Sequence, residues 1–190
     1  MWIYEKRLIY PVNITKPNLY MATLLNAQYG GANSELSAGI TYLNQRYYMP
    51  DDVVKAILTD IGTEELAHWE MLGAMIRQCL KGASLDEIKQ AGLSDWYVSH
   101  RCGTFPSSQG LVPWSAENVT CTGDPIADLT NNIAAEAKAK ATYESLINLS
   151  NDPEVIDPLE FLRKREIVHF QRFGEALNIV QNKVRNATSQ

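Results

Sequence analysis

Between residues 52 and 80 the apolar side chains Val54, Ile57, Leu58, Ile61, Leu66, Met71, Leu72 and Met75 broadly follow three- and four-residue steps, the period of an amphipathic helix. Pro50-Asp51-Asp52 supplies a turn and an N-cap, and Gly82 suits the C-terminal cap, so a helix is expected to run to about Leu80. Similar punctuation sets out three more long helices. Pro17 is suited to a first helical position, and the chain from there to about Tyr48 reads as one helix. It contains Gly30-Gly31, each about 1 kcal/mol worse than alanine in a helix interior. That pair fits either a plain kink or a place where another backbone or a ligand comes close. Asp124-Pro125 opens a third helix that runs to about Leu149. Asn151-Asp152-Pro153 reads as a turn and Asp157-Pro158 as a second start signal; a fourth helix follows to about Val184, with the last six residues expected to fray.

The segments between these helices are unlike one another. Ser84 and Glu87 form a capping-box pattern for a short helix. From about Gly92 to Gly123 no helical period survives, and the stretch is rich in Gly, Ser, Pro and Trp. A loop of that length needs a reason. If two helical hairpins share one orientation, the link between them must travel back along the whole bundle. His100 falls in this link and reads as a surface or hydrogen-bonding histidine. Residues 1–16 read as an extended, aromatic-rich arm. The expected fold is therefore all-α: a four-helix bundle of the ferritin-like kind, one domain over residues 1–190, with an N-terminal arm (1–16) and a crossover segment (81–124).

Several polar residues repeat in a way that chance does not explain. Glu65 and His68 stand three apart, hence on one side of a helix, and Glu166 and His169 do the same. A lone glutamate precedes each pair by 30 residues, and adding 101 to Glu35, Glu65 and His68 gives Glu136, Glu166 and His169. Tyr42 and Tyr143 obey the same shift. In a bundle, the two sets converge as two single glutamates and two Glu-x-x-His pairs, an arrangement known from di-iron and di-manganese carboxylate proteins. Four buried carboxylates without counter-ions would be costly, and two divalent cations would nearly neutralise them. Ile61, Ala67, Met71, Ala134, Ala135, Ile167 and Phe170 flank the set with apolar side chains, which argues for a buried centre. Oxygen donors with two imidazoles favour manganese or iron. Tyr42 and Tyr143 are expected to face the same cavity, either orienting a terminal carboxylate or packing as core tyrosines.

Composition narrows the classes. Hydrophobic residues make up 45% and charged residues 21%, as in ordinary soluble globular chains. No run approaches the roughly 18 apolar residues of a membrane span, and the first residues lack a secretory signal pattern. A net charge of −5, with no basic cluster beyond residues 163–165, argues against nucleic acid. Cys79, Cys102 and Cys121 form no Cys-x-x-Cys, so zinc, rubredoxin-type iron and thioredoxin-like chemistry are not expected.

With KRLIYPV, QYGGANSELSAGITYLNQ, DIGTEELAHWEMLGAMI, TGDP and REIVH in view, the chain resembles the manganese catalases, and among them their short spore-coat form. The resemblance implies a homo-hexamer of ferritin-like bundles that converts two hydrogen peroxides to water and dioxygen with two manganese ions per subunit. It further implies a product of the mother-cell cytoplasm that ends in the spore coat, beside other coat proteins. Carried over by position, Glu65 bridges the two ions, Glu35 and His68 complete one, and Glu136 and His169 complete the other. Glu166 matches a proton relay, whereas the bundle template alone makes it a sixth ligand. Two departures stand out: some relatives carry arginine where this chain has Ala135, and the C-terminal extension of longer catalases has no counterpart, so a calcium site made by it is not carried over. The alternatives are a di-iron ferroxidase or peroxidase, and a mainly structural coat protein with a metal-stabilised bundle.

Overall fold

The structure, a computed structural model, describes residues 5, 7–93, 103–110 and 112–188. His100 and Cys102 lie outside the described residues. Six α-helices account for most of the rest: α1 (Leu19–Gly30), α2 (Glu35–Gln45), α3 (Asp52–Leu80), α4 (Leu85–Gln90), α5 (Pro125–Leu149) and α6 (Pro153–Thr188), with single 3-10 turns at Arg46–Tyr48 and Ala116–Asn118. No strand occurs among the described residues, only an isolated bridge between Ser107 and Pro113. The α1–α2 pair packs on α3 and α5 packs on α6, so the bundle is two hairpins joined by the crossover segment.

The starts of the helices are written in their caps. Asp51 accepts from the amides of Val53 and Val54, and Asp124 from those of Ile126 and Ala127. Ser84 and Glu87 form the reciprocal capping box. Three expectations fail, each for a physical reason. The first long helix is two: Ser34 caps a new start, its side chain accepting from the Ser37 amide, and α2 begins at Glu35. The break follows Gly30, whose hydrogen lies where a Cβ would come 2.2 Å from Ser107 N, so the crossover backbone packs directly on the helix there. The fourth helix begins at Pro153, not Pro158, because Asp152 Oδ1 accepts from the Glu154 amide at 3.0 Å. Pro158 then sits inside α6, in its second turn, where its ring forgoes one helical hydrogen bond. Nor does the end of α6 fray before Thr188.

Along α3 and α6 the buried residues change character twice. In α3, Val54, Ile57, Leu58 and Ile61 join one apolar cluster and Met71 through Leu80 join another. In α6 the order is Val155, Leu159 and Leu162, then Phe173, Ala176 and Val180. The gap in each helix is the Glu-x-x-His. Two apolar cores thus sandwich a polar layer halfway along the bundle. The N-terminal arm seals one end: Ile14 N donates to Gln78 Oε1 at 2.6 Å, Thr15 Oγ1 donates to Glu154, and Tyr10 stacks on Phe161 at 4.5 Å.

Candidate metal centre

The polar layer is built by four helices, each contributing on a single face. Glu35 and Tyr42 sit seven residues apart on α2, and Glu136 and Tyr143 match them on α5; α3 brings Glu65 and His68, α6 brings Glu166 and His169. All eight side chains are buried, the acids and histidines at 3% exposure or less. The structure therefore brings together every residue expected at the centre. Their screen from water differs from the expectation. Ile61 and Met71 are buried, but Ile167 and Phe170 are 37% and 43% exposed, and Ala134 also faces outward. The layer is buried because of the two cores above and below it more than because of its neighbours in sequence.

The geometry has a centre. His68 Nδ1 lies 2.8 Å from Glu65 Oε2, and His169 Nδ1 lies 2.8 Å from Glu65 Oε1, one ring against each oxygen of the same carboxylate. Outside this trio the flanks match: Glu35 Oε2 is 3.6 Å from His68 Nδ1, and Glu136 Oε2 is 3.6 Å from His169 Nδ1. The rings are 5.5 Å apart and nearly parallel, at 22°. The tyrosines cross over, Tyr42 OH donating to Glu136 Oε1 and Tyr143 OH to Glu35 Oε1. Each terminal glutamate is held by the phenol of the other half. Glu166 joins the same cluster from one side, its Oε1 3.7 Å from His68 Nδ1.

These residues fit a metal pair. Glu65 Oε1, Glu136 Oε2, Glu166 Oε1 and His169 Nδ1 are buried and lack a hydrogen-bond partner, though all converge on the same layer. Donors about 2.0–2.2 Å from a common cation lie roughly 3–3.5 Å from one another, close to the 2.8 and 3.6 Å seen here. Glu65, His68, Glu166 and His169 each turn a donor atom to within 4.8 Å of the others.

The charges show what the layer wants. Burial pushes Glu35 up to about 8, and the adjacent Glu65 charge adds to it. Burial also drives Glu166 well above the carboxylate range, reinforced by Glu35, Glu65 and Glu136. Burial opposes the charge on Glu65 too, yet His169 and His68 outweigh it and hold that carboxyl low. One carboxylate is kept charged at the centre while its neighbours seek protons or cations.

Sequence reasoning missed two residues. Glu64, half-buried, sits on the far side of both rings, with Oε1 3.4 Å from His68 Nε2 and Oε2 3.2 Å from His169 Nε2. Arg165 clamps it, Nε to Oε1 at 2.5 Å and Nη2 to Oε2 at 3.1 Å. Adding 101 to 64 gives 165. The repeat that located the layer also located this pair, but the partners differ in type, so matching like with like passed over them. A fifth carboxylate in the layer needs a cation of its own, and Arg165 supplies it.

A cavity of about 120 Å³ leads inward between α2 and α5, with Asn33, Asn118, Thr120 and Lys138 among its lining and Glu35, Tyr42, Glu136 and Glu166 in its wall. Glu166 and the two terminal glutamates face it; Glu65 does not. Ala135 also lines it, so the side chain that is arginine in some catalases here leaves room.

Comparison with known proteins follows this geometry. The family described as manganese containing catalase matches residues 1–188. The chain is 50% identical over 181 residues to protein CotJC of Bacillus subtilis, covering 95% of each. It is 39% identical to a probable manganese catalase of Clostridium acetobutylicum, over 98% of this chain and 84% of that one. Among solved structures it superposes on KatB, a manganese catalase from Anabaena, with a TM-score of 0.86 at 36% identity, covering 95% of this chain and 81% of that one.

Proposed function

The chain belongs to the manganese-containing catalase family, and on that premise we propose that it disproportionates hydrogen peroxide to water and dioxygen with two manganese ions per subunit. The observation that carries the reading is Glu65, set with one imidazole Nδ1 against each of its oxygens and a further glutamate 3.6 Å from each of the same two nitrogens. Glu65 would then be shared by both ions, with Glu35 and His68 holding one and Glu136 and His169 the other. When bound, the metal pair supplies the two-electron change that the reaction requires.

The chain's own groups handle position and protons. Tyr42 and Tyr143 hold the terminal carboxylates in one orientation, each across the midline. Glu64 stands against the Nε2 edge of both rings, at 3.4 and 3.2 Å, where its charge favours a proton on Nε2 and leaves Nδ1 to face inward. One peroxide leaves as dioxygen and gives up two protons and two electrons; the second takes up the same number and leaves as two waters. Protons must therefore be stored within reach of the cavity, and Glu166 is buried there with its proton affinity raised. We assign Glu166 to that store rather than to the ligand set.

Membership in this family supports an oligomeric assembly, and outward-facing apolar side chains such as Ile167, Phe170 and Val53 suit subunit contacts. We read the assembly as a homo-hexamer. Likeness to CotJC supports a place in the spore coat, with coat proteins as neighbours. No described helix is long and apolar enough to cross a membrane.

The test is oxygen evolution from peroxide by protein whose metal has been quantified after expression with manganese or with iron. Turnover is expected to rise in proportion to manganese, saturating at two per chain. Inert protein carrying two manganese ions per chain would overturn the reading in favour of a structural coat role. Turnover that tracks iron would favour a di-iron peroxidase.

A further inference from the structure

We propose that Asn132 orients the substrate: its side-chain oxygen accepts a hydrogen bond from hydrogen peroxide, and from water, as either moves along the cavity toward the glutamates. This rests on the peroxide reading above.

Asn132 stands four residues before Glu136 on α5, hence on the same face, and both line the cavity. It is fully buried, and its Oδ1 has no hydrogen-bond partner. Which end of the amide is left without a partner is decided by a relay that begins in the crossover segment. Gln45 Nε2 donates to the Thr120 carbonyl at 2.9 Å, which leaves Gln45 Oε1 in need of a donor. Asn132 Nδ2 donates to that oxygen at 2.6 Å. The acceptor end of Asn132 is thereby turned away from Gln45. Reversing it would set two carbonyl oxygens against each other. Thr120 is itself pinned, its amide donating to Thr41 Oγ1 at 3.3 Å and its hydroxyl accepting from Asn131.

Three other polar groups of the inner wall are already committed. Ser37 Oγ donates to the Gly31 carbonyl at 3.0 Å and accepts from Trp114 Nε1 at 3.0 Å. Ser34 Oγ accepts from the Ser37 amide, and Tyr42 OH donates to Glu136. What the wall still offers a visitor beside the carboxylates is an acceptor. A molecule bearing O–H groups meets a partner, whereas dioxygen, which has none, is not retained.

The test has two arms. A crystal structure of the wild-type protein, with or without metal, is expected to show an ordered water within hydrogen-bonding distance of Asn132 Oδ1; a dry Oδ1 would overturn the proposal without any variant. Asn132→Leu, of similar size but without the acceptor, is expected to retain its manganese while kcat/KM for peroxide falls roughly 3- to 10-fold, chiefly through KM, the range set by one neutral hydrogen bond. Asn132→Ser, which keeps a smaller acceptor, recovers part of the loss. An unchanged kcat/KM in metal-replete Asn132→Leu overturns the assignment while leaving the peroxide reading intact. Wild-type protein that evolves no oxygen defeats that reading instead, and the bound water is still there to be seen.

Discussion

The two halves of the bundle can be laid over one another by a shift of 101 residues, and they agree where ligands are needed. Glu35 and Glu136 are both buried, both held by a phenol of the opposite half, and both 3.6 Å from a ring nitrogen. They disagree at three other places. Glu65 lies between both rings whereas Glu166 lies to one side, facing the cavity. Glu64 and Arg165 carry opposite charges and pair. Gly30-Gly31 ends a helix under the crossover backbone, whereas Asn131-Asn132 continues one and lines the cavity. A symmetric ligand set suits two ions alike. On the reading proposed above, chemistry on a small molecule needs one open side, one proton store and one bridge, and these differences would supply them.

The largest effects separate the two glutamates that the repeat equates. Glu65→Gln removes the charge that both imidazoles face, and we expect metal content to collapse and oxygen evolution to fall to background. Glu166→Gln keeps metal near the wild-type level while turnover falls about 10²- to 10⁴-fold, the span typical of a lost acid–base group. Elemental analysis beside oxygen evolution reads both. Loss of metal from Glu166→Gln would make it a ligand and restore symmetry to the set.

Acid sharpens the point on which the halves agree. Metal binding needs neutral imidazole and ionised carboxylate. In the metal-free protein burial would lower His169, but Glu65, Glu136 and Glu64 outweigh it and push the ring up to about 12; Glu35 is pushed up to about 8. At neutral pH both therefore hold protons that an incoming ion displaces. Uptake releases protons, so affinity weakens as pH falls, by about tenfold or more per unit between pH 8 and 6. Chelator competition at three pH values measures the slope. Calorimetry in two buffers of different ionisation enthalpy counts the protons, and a flat profile would contradict the assigned protonation.

The Glu64–Arg165 pair gives smaller effects, and unequal ones. Glu64→Ala strips both rings of their outer partner and is expected to weaken metal binding about 10- to 100-fold. Arg165→Ala leaves Glu64 in place but uncompensated, and a few-fold loss is expected because Arg165 is about one-third exposed and water can replace part of it. Equal losses would mean that the pair acts as a unit rather than through Glu64.

Most of the fold was legible because it is written locally. Caps at Asp51, Asp124 and Ser84 and a regular apolar period fix helices whatever surrounds them. The ligand set was legible because duplication turned six residues of two types into a pattern. What was not legible depends on contacts distant in sequence. The break after Gly30 is decided by Pro106 and Ser107, about 75 residues away, and Ser34, one polar residue among several, gave no sign on its own that it would cap. Pro158 looked like a start, but Asp152 had already nucleated the helix one turn and a half earlier. The seclusion of the centre was inferred from seven apolar neighbours, of which Ile61 and Met71 are buried but Ile167 and Phe170 face outward, because a window of sequence cannot tell an apolar residue beside a site from one that covers it. Glu64, Arg165 and Asn132 escaped because each takes its meaning from a partner on another helix.

The smallest effect tests the third difference between the halves with two glycines. A methyl group at Gly30 would fall 2.2 Å from Ser107 N and 2.4 Å from Pro106 C, both backbone atoms that move only if the crossover segment lifts. Gly30→Ala should therefore behave as overpacking and destabilise by about 1–3 kcal/mol despite alanine's better helix propensity. Gly174, in the interior of α6, has nothing within 4 Å of the same methyl. Gly174→Ala should show the propensity alone and stabilise by about 0.5–1 kcal/mol. For a chain of this size each kcal/mol is roughly 2–4 °C in the thermal midpoint, so the two variants should move in opposite directions when compared at one protein concentration and one metal loading. If Gly30→Ala also stabilises, the helix ends there for want of a better residue, and the crossover segment is merely resting on the gap rather than requiring it.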